Sequence, residues 1–179
     1  MAGTFAAPDW EAYRMDYKDP HVELEPAHAE RALVGECLDM LVSAGILPHT
    51  SYDEERFLTF RRAVADSFEI PWTAITPRMQ RLIWAISAIQ QPDRGIAAGI
   101  FCGNTFISNA GAAVGPGAVY TASDYLGIEI VPEEAERAER NVRLIDPTGV
   151  AHIVAADAVD VCRDYDGQID LLYLDADGA

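Results

Sequence analysis

Three acids fall where short apolar runs end: Glu129 in YLGIEI, Asp157 just after AHIVA, and Asp175 just after IDLLYL. Strands of a parallel sheet all finish on one edge, so these carboxylates are expected to meet over one crevice. A carboxylate at the second strand end can accept both hydroxyls of a ribose. Asp157 can accept from an exocyclic amino group of a base, and Asp175 can face the reacting end of a ligand or a metal. Charge-assisted bonds of this kind contribute roughly 1.5–3 kcal/mol each. Each acid alone also suits a solvated strand end or a helix cap, and it is the series of three that points to a site.

The element that must position them is residues 96–109, IAAGIFCGNTFISN. An apolar run, Ile96-Ala97-Ala98, enters Gly99-Ile100-Phe101-Cys102-Gly103, and the polar pair Asn104-Thr105 leads into residues that continue as a helix. The pattern reads as a buried strand, a tight glycine turn and a helix start. Glycine at both ends lets the backbone take positive φ and approach a ligand closely. The helix N-terminus then faces whatever lies above the strand.

The composition limits the partners. With 13 Lys plus Arg against 29 Asp plus Glu, the formal net charge is −16. Such a surface repels phosphate backbones and anionic lipid, which argues against nucleic acid and membrane. No apolar run approaches the roughly 20 residues of a membrane span. The acidic N-terminus does not resemble a signal peptide. Cys37, Cys102 and Cys162 are odd in number and scattered, which fits reduced thiols in a cytoplasmic protein.

Before the glycine turn the chain reads as helical. Residues 1–25 form a proline-broken arm with Trp10, Tyr13 and Tyr17. Leu33, Val34, Cys37, Leu38, Leu41 and Val42 recur at helical spacing over 27–44, with Gly45 as a stop. A second helix spans about 53–68, with Phe57, Phe60, Val64 and Phe68 on its core face and Glu54, Arg61 and Asp66 wet. Residues 69–73 form a connector. Thr76-Pro77 opens a third helix with Met79, Leu82, Ile83, Ile86 and Ile89 on its apolar face. From there the pattern changes to alternating strands and helices, the signature of parallel βαβ units. Strands are expected at 95–98, 125–130, 151–155 and 169–174, with a charged helix from Pro132 to about Arg143. The stretch 115–124 has no clear assignment.

Residues 75–177 resemble class I S-adenosylmethionine-dependent methyltransferases, in particular the small-molecule O-methyltransferases of the catechol and caffeoyl-CoA type. ITPRMQRLIWAI is similar to the helix before their first motif, and AAGIFCGNTF to the glycine motif itself. GIEIVPEEAERAERNV, AADAVDV and DLLYLDADG are similar to the ribose, adenine and fourth-strand motifs. The resemblance implies an α/β fold: a Rossmann-like parallel sheet with four strands in the order 3-2-1-4 behind an N-terminal helical extension. Residues 1–73 would be arm and extension, and 74–179 the N-terminal half of the methyltransferase domain. It implies S-adenosylmethionine as cofactor, held by Gly99, Phe101, Gly103, Asn104, Glu129, Asp157, Ala158 and Asp175. Asp175 would be the catalytic residue and the one candidate ligand for a divalent metal. The partner implied is a small-molecule methyl acceptor, and the helices before Thr73 would cover either its pocket or a homodimer face.

The sequence departs from that pattern in three places. Ala97 stands where the family carries an acid two residues before the first glycine. Gly178 stands where a lysine often serves as general base. The sequence ends at Ala179, before the strands that complete the sheet and pocket. The expectation is therefore a fragment, with the activity belonging to the parent protein. Its fourth strand would stand at an open edge, which invites pairing with another chain. Two rival readings remain: a non-catalytic cofactor-binding or interaction protein with this fold, and a nicotinamide-binding oxidoreductase. The latter calls for G-x-G-x-x-G, whereas Phe101 stands between Gly99 and Gly103 here.

Overall fold

The computed structural model describes residues 26–69 and 75–176. The arm, residues 70–74 with all of the connector but Glu69, and residues 177–179 lie outside the described residues. Within them, α1 (Ala27–Ser43), α2 (Glu54–Ser67) and α3 (Pro77–Gln90) precede β1 (Arg94–Ala98) and α4 (Asn104–Ala110). Then follow β2 (Asp124–Glu129), α5 (Pro132–Ile145), β3 (Ala151–Ala155), α6 (Ala158–Asp164) and β4 (Leu171–Leu174). The strands form one parallel sheet in the order β3-β2-β1-β4. This is the α/β arrangement and strand order expected from the sequence.

Local chemistry sets the element ends. The Asp53 side chain accepts from the Arg56 N–H and opens α2, and Thr76 accepts from the Met79 N–H ahead of Pro77 in α3. The second strand ends at Glu129 rather than Ile130. The Glu129 carboxylate takes the Val131 N–H, which folds the chain away and leaves Ile130 65% exposed. The fourth strand starts at Leu171 rather than Ile169, because pairing with β1 begins at Gly95↔Leu171. Just before it, the Asp170 side chain accepts from the Asp93 and Arg94 amides.

Side chains alternate across the sheet. Ala97, Tyr125 and Ala151 join Phe57, Phe60, Val64, Trp84, Phe106, Val142 and Ile145 in the main core, so the helices of the extension and the sheet share one core. Ile96, Leu126 and Ile128 face the other way, with Val154 and with Ala158, Val161 and Tyr165 of the α6 segment. On β4 this second face is open, with Leu172 and Leu174 exposed. The unassigned stretch after α4 contains a 3₁₀ turn, Gly115–Gly117. It lies so close under α2 that a Cβ at Gly117 would sit 2.4 Å from the Phe60 Cβ.

Two expectations for the helices are corrected. Arg61 is not wet: its guanidinium bonds to both Glu30 oxygens (3.0 and 2.7 Å), to Gln80 Oε1 (2.9 Å) and to the Pro77 carbonyl (2.6 Å). Arg81 also reaches Glu30 (2.7 Å), and both guanidinium carbons stand over the Phe57 ring, at 4.4 and 4.5 Å. A carboxylate shared by two guanidinium groups is what allows all three charges to be buried. The apolar faces are also narrower than their periodicity suggests, since Leu33 and Met79 are exposed while Gln80, Arg81 and Ser87 are buried. Ile83 and Ile89 of the expected face stay buried, and beside them Gln80 and Arg81 turn inward to bond with Arg61 and Glu30.

Candidate functional site

The glycine corner forms at the C-terminal end of β1, beside the ends of β2 and β4. Gly99 (φ 77°), Phe101 (φ 48°) and Gly103 (φ 88°) all take left-handed backbone. The Gly99 N–H donates to the Ile128 carbonyl (2.9 Å), and the Gly103 N–H closes the turn on the Ile100 carbonyl (2.8 Å). Gly103 then packs against α5, where an added Cβ would lie 3.2 Å from that of Ala138. Gly99 faces the end of β4. Asp175 follows that strand, and its N–H donates to the Ala98 carbonyl (2.9 Å).

Glu129 meets this corner directly. Its Oε2 accepts the Phe101 N–H (2.8 Å) and its Oε1 accepts the Val131 N–H (3.0 Å). The residue is 7% exposed. A carboxylate offers about four acceptor positions, so each oxygen keeps one for a further donor. Phe101, an aromatic residue in left-handed backbone, carries strain of about 1–2 kcal/mol. A hydrogen bond to a charged group, at roughly 1.5–3 kcal/mol, is enough to offset it.

The other expected residues lie as follows. Asp157 is exposed and caps α6, accepting the Val159 N–H (2.7 Å), so the plain helix-cap explanation applies to one of its oxygens. Ala158 is the first residue of α6 and is half-buried. Asp175 is exposed at the end of β4. Asn104 is 1% exposed, with its side chain inside the protein. Among the described residues no group of three or more His, Cys, Asp or Glu could hold a metal ion. His152 lies 3.4 Å from Asp124, the first residue of β2 and the end far from Glu129. Burial pushes the Cys102 thiol up to about 11, which keeps it protonated and unreactive at neutral pH.

Asn141 was missed by the sequence reading. It is 2% exposed, donates from Nδ2 to the Cys102 carbonyl (3.0 Å) and accepts the Glu69 N–H at Oδ1 (2.9 Å). The signal was available: an amide stands among Ala138, Val142 and Ile145 on the buried face of an otherwise well-patterned helix. Helix α6 was also unforeseen, because its seven residues are too few to display a period.

No protein-family model matches the sequence. No curated protein matches it either. Solved structures do. Cofactor-bound Rv0187 from MTB aligns at 22% identity and a TM-score of 0.51, over 70% of this chain and 55% of that one. The O-methyltransferase from Bacillus cereus in complex with SAH aligns at 14% identity and 0.51, over 82% and 63%. The SAH-bound Podospora anserina methyltransferase PaMTH1 aligns at 14% identity and 0.54, over 79% and 58%. The chain thus spans between 55% and 63% of the length of these neighbours. Identities this low establish architecture alone: the chain has the parallel-sheet α/β fold of these solved structures.

Proposed function

We propose that this chain is the cofactor-binding part of an S-adenosylmethionine-dependent methyltransferase acting on a hydroxyl of a small molecule. The observation that carries the reading is the bond from the Phe101 amide to Glu129, which brings the glycine corner and the second-strand acid onto one rim. The rim fits an adenosine: Glu129 keeps an acceptor position on each oxygen for the ribose hydroxyls. The exposed Asp157, with the backbone of Ala158, would meet the base. Gly99, Phe101 and Gly103 would line the corner, with the buried Asn104 contributing through its backbone. Asp175 would stand at the reacting end.

When bound, the cofactor supplies a methyl group already activated on a sulfonium. The chain's own task is then placement, and alignment of reactants can lower a barrier by roughly 7–11 kcal/mol. Asp175 would stand beside the acceptor and orient its hydroxyl. A divalent cation there would take Asp175 as one oxygen ligand and complete its shell with waters and further donors. Among the described residues no group of acids, His or Cys completes such a site. A cytoplasmic setting is supported by the three free cysteines. Among the described residues no helix is long and apolar enough to cross a membrane.

Calorimetry with S-adenosylmethionine and with NAD tests the proposal. Binding of the first alone is expected, and NAD binding would return the oxidoreductase. Glu129→Ala is expected to weaken S-adenosylmethionine binding at least about tenfold, or ~1.4 kcal/mol. Unchanged affinity in a folded variant would remove the ribose assignment. Methyl transfer by a version extended past Ala179 separates an enzyme from a non-catalytic binder.

A further inference from the structure

Among the described residues only Gln91 and Phe101 take positive φ without being glycine. Gln91 ends α3, where left-handed caps are common. Phe101 has no such setting, and a bulky residue stays in this region only when its surroundings hold it there. Its backbone is held by Glu129. The N–H is taken by Glu129 Oε2 at 2.8 Å, and Oε1 of the same carboxylate is pinned by the Val131 N–H at 3.0 Å. The carboxylate is therefore fixed to the β2–α5 turn and does not follow Phe101 if the corner moves. At 7% exposure, water competes poorly for either oxygen. Asn141 holds the next carbonyl, that of Cys102, at 3.0 Å.

We propose that Glu129 is a positioning residue as well as a ligand-facing acid: its carboxylate braces the Phe101 backbone and builds the glycine corner before any ligand arrives. The brace uses only bonds within the chain, so it stands or falls separately from cofactor binding. A corner braced in advance presents its site without first being ordered by the ligand, which lowers the cost of binding.

Amide hydrogen exchange on the full chain without ligand tests this. The informative amide is Gly103, which bonds to the Ile100 carbonyl and makes no bond to Glu129. Glu129→Ala is expected to speed Gly103 exchange at least about tenfold while the amides that pair β1 with β2 keep their rates. Adding Phe101→Gly to that variant is expected to bring the Gly103 rate back to within about threefold of wild type, because glycine holds positive φ unaided. A purely ribose-binding Glu129 would give neither result. An unchanged Gly103 rate in Glu129→Ala overturns the proposal, and so does a rate that stays fast after Phe101→Gly. Should Glu129→Ala lose its near-ultraviolet dichroism, Glu129→Asp, which withdraws the carboxylate by one methylene, takes its place with the same deciding outcomes. If Gly103 responds as expected in a chain that binds no S-adenosylmethionine, the methyltransferase reading fails and the brace survives.

Discussion

Replacing Gly99 by alanine tests whether the end of β4 truly presses on the corner. A Cβ there would lie 2.5 Å from the Asp175 carbonyl oxygen and 2.6 Å from the Ala176 nitrogen. These are backbone atoms, and the Asp175 N–H is already committed to the Ala98 carbonyl at 2.9 Å. The strand end can retreat only by giving up pairing with β1. Two contributions add. Left-handed backbone costs an L-residue about 1–2 kcal/mol. Forcing a methyl into filled space costs about 1–3 kcal/mol more, for a total of about 2–5 kcal/mol. Gly45→Ala is the control, since Gly45 has φ +71° but nothing within 4 Å of its added Cβ. Only the first contribution applies there. Urea unfolding followed by tryptophan fluorescence measures both, and Gly99→Ala is expected to lose about 1–3 kcal/mol more than Gly45→Ala. Equal losses would mean that the end of β4 does not lie against Gly99, and the rim built on that approach would go with it.

Three further outcomes are expected. Glu30→Ala leaves the Arg61 and Arg81 guanidinium groups buried without their shared carboxylate, at 11% and 2% side-chain exposure, and should cost about 3–5 kcal/mol in urea unfolding. A loss under ~1 kcal/mol would contradict a buried triad. Burial pushes the Glu30 carboxyl up, but the hydrogen bonds and charges of Arg61 and Arg81 outweigh it and hold the group below its ordinary range. A lowered folded value means the stabilisation is full above the unfolded value of about 4.3 and fades as pH falls through the folded one. The stability gap between wild type and Glu30→Gln should shrink below that pH, and a gap that widens there contradicts the sign. A thiol reagent at pH 8 should label the exposed Cys162 in the native chain and reach Cys102 only after unfolding. Native labelling of Cys102 would mean that the corner opens.

Much of the fold was legible because its signals are local. Thr76-Pro77 announces a helix start through one side-chain oxygen and one fixed φ. The runs at Ile96 and Ala151 announce strands as short, mostly apolar stretches, and the change of pattern after Gln90 announces a parallel sheet. The bounds that slipped did so where a side chain caught a backbone N–H outside its own strand. Glu129 turned the chain before Ile130 could extend β2, and Asp170 spent its side chain on Asp93 and Arg94 ahead of β4.

By itself the sequence determined the helix and strand periods, the glycine corner and the set of acids that end the strands, since each depends on neighbours within a few residues. Only the tertiary structure decided what those groups touch. Arg61 reads as a surface charge until α1 brings Glu30 from 31 residues away, and Arg81, 51 residues from Glu30, meets the same carboxylate. Glu129 reads as an acid awaiting a ligand until Phe101, 28 residues earlier, delivers an amide to it. Partners so far apart in the chain meet only when helices and sheet close on one core, and no local pattern records which groups that closure brings together.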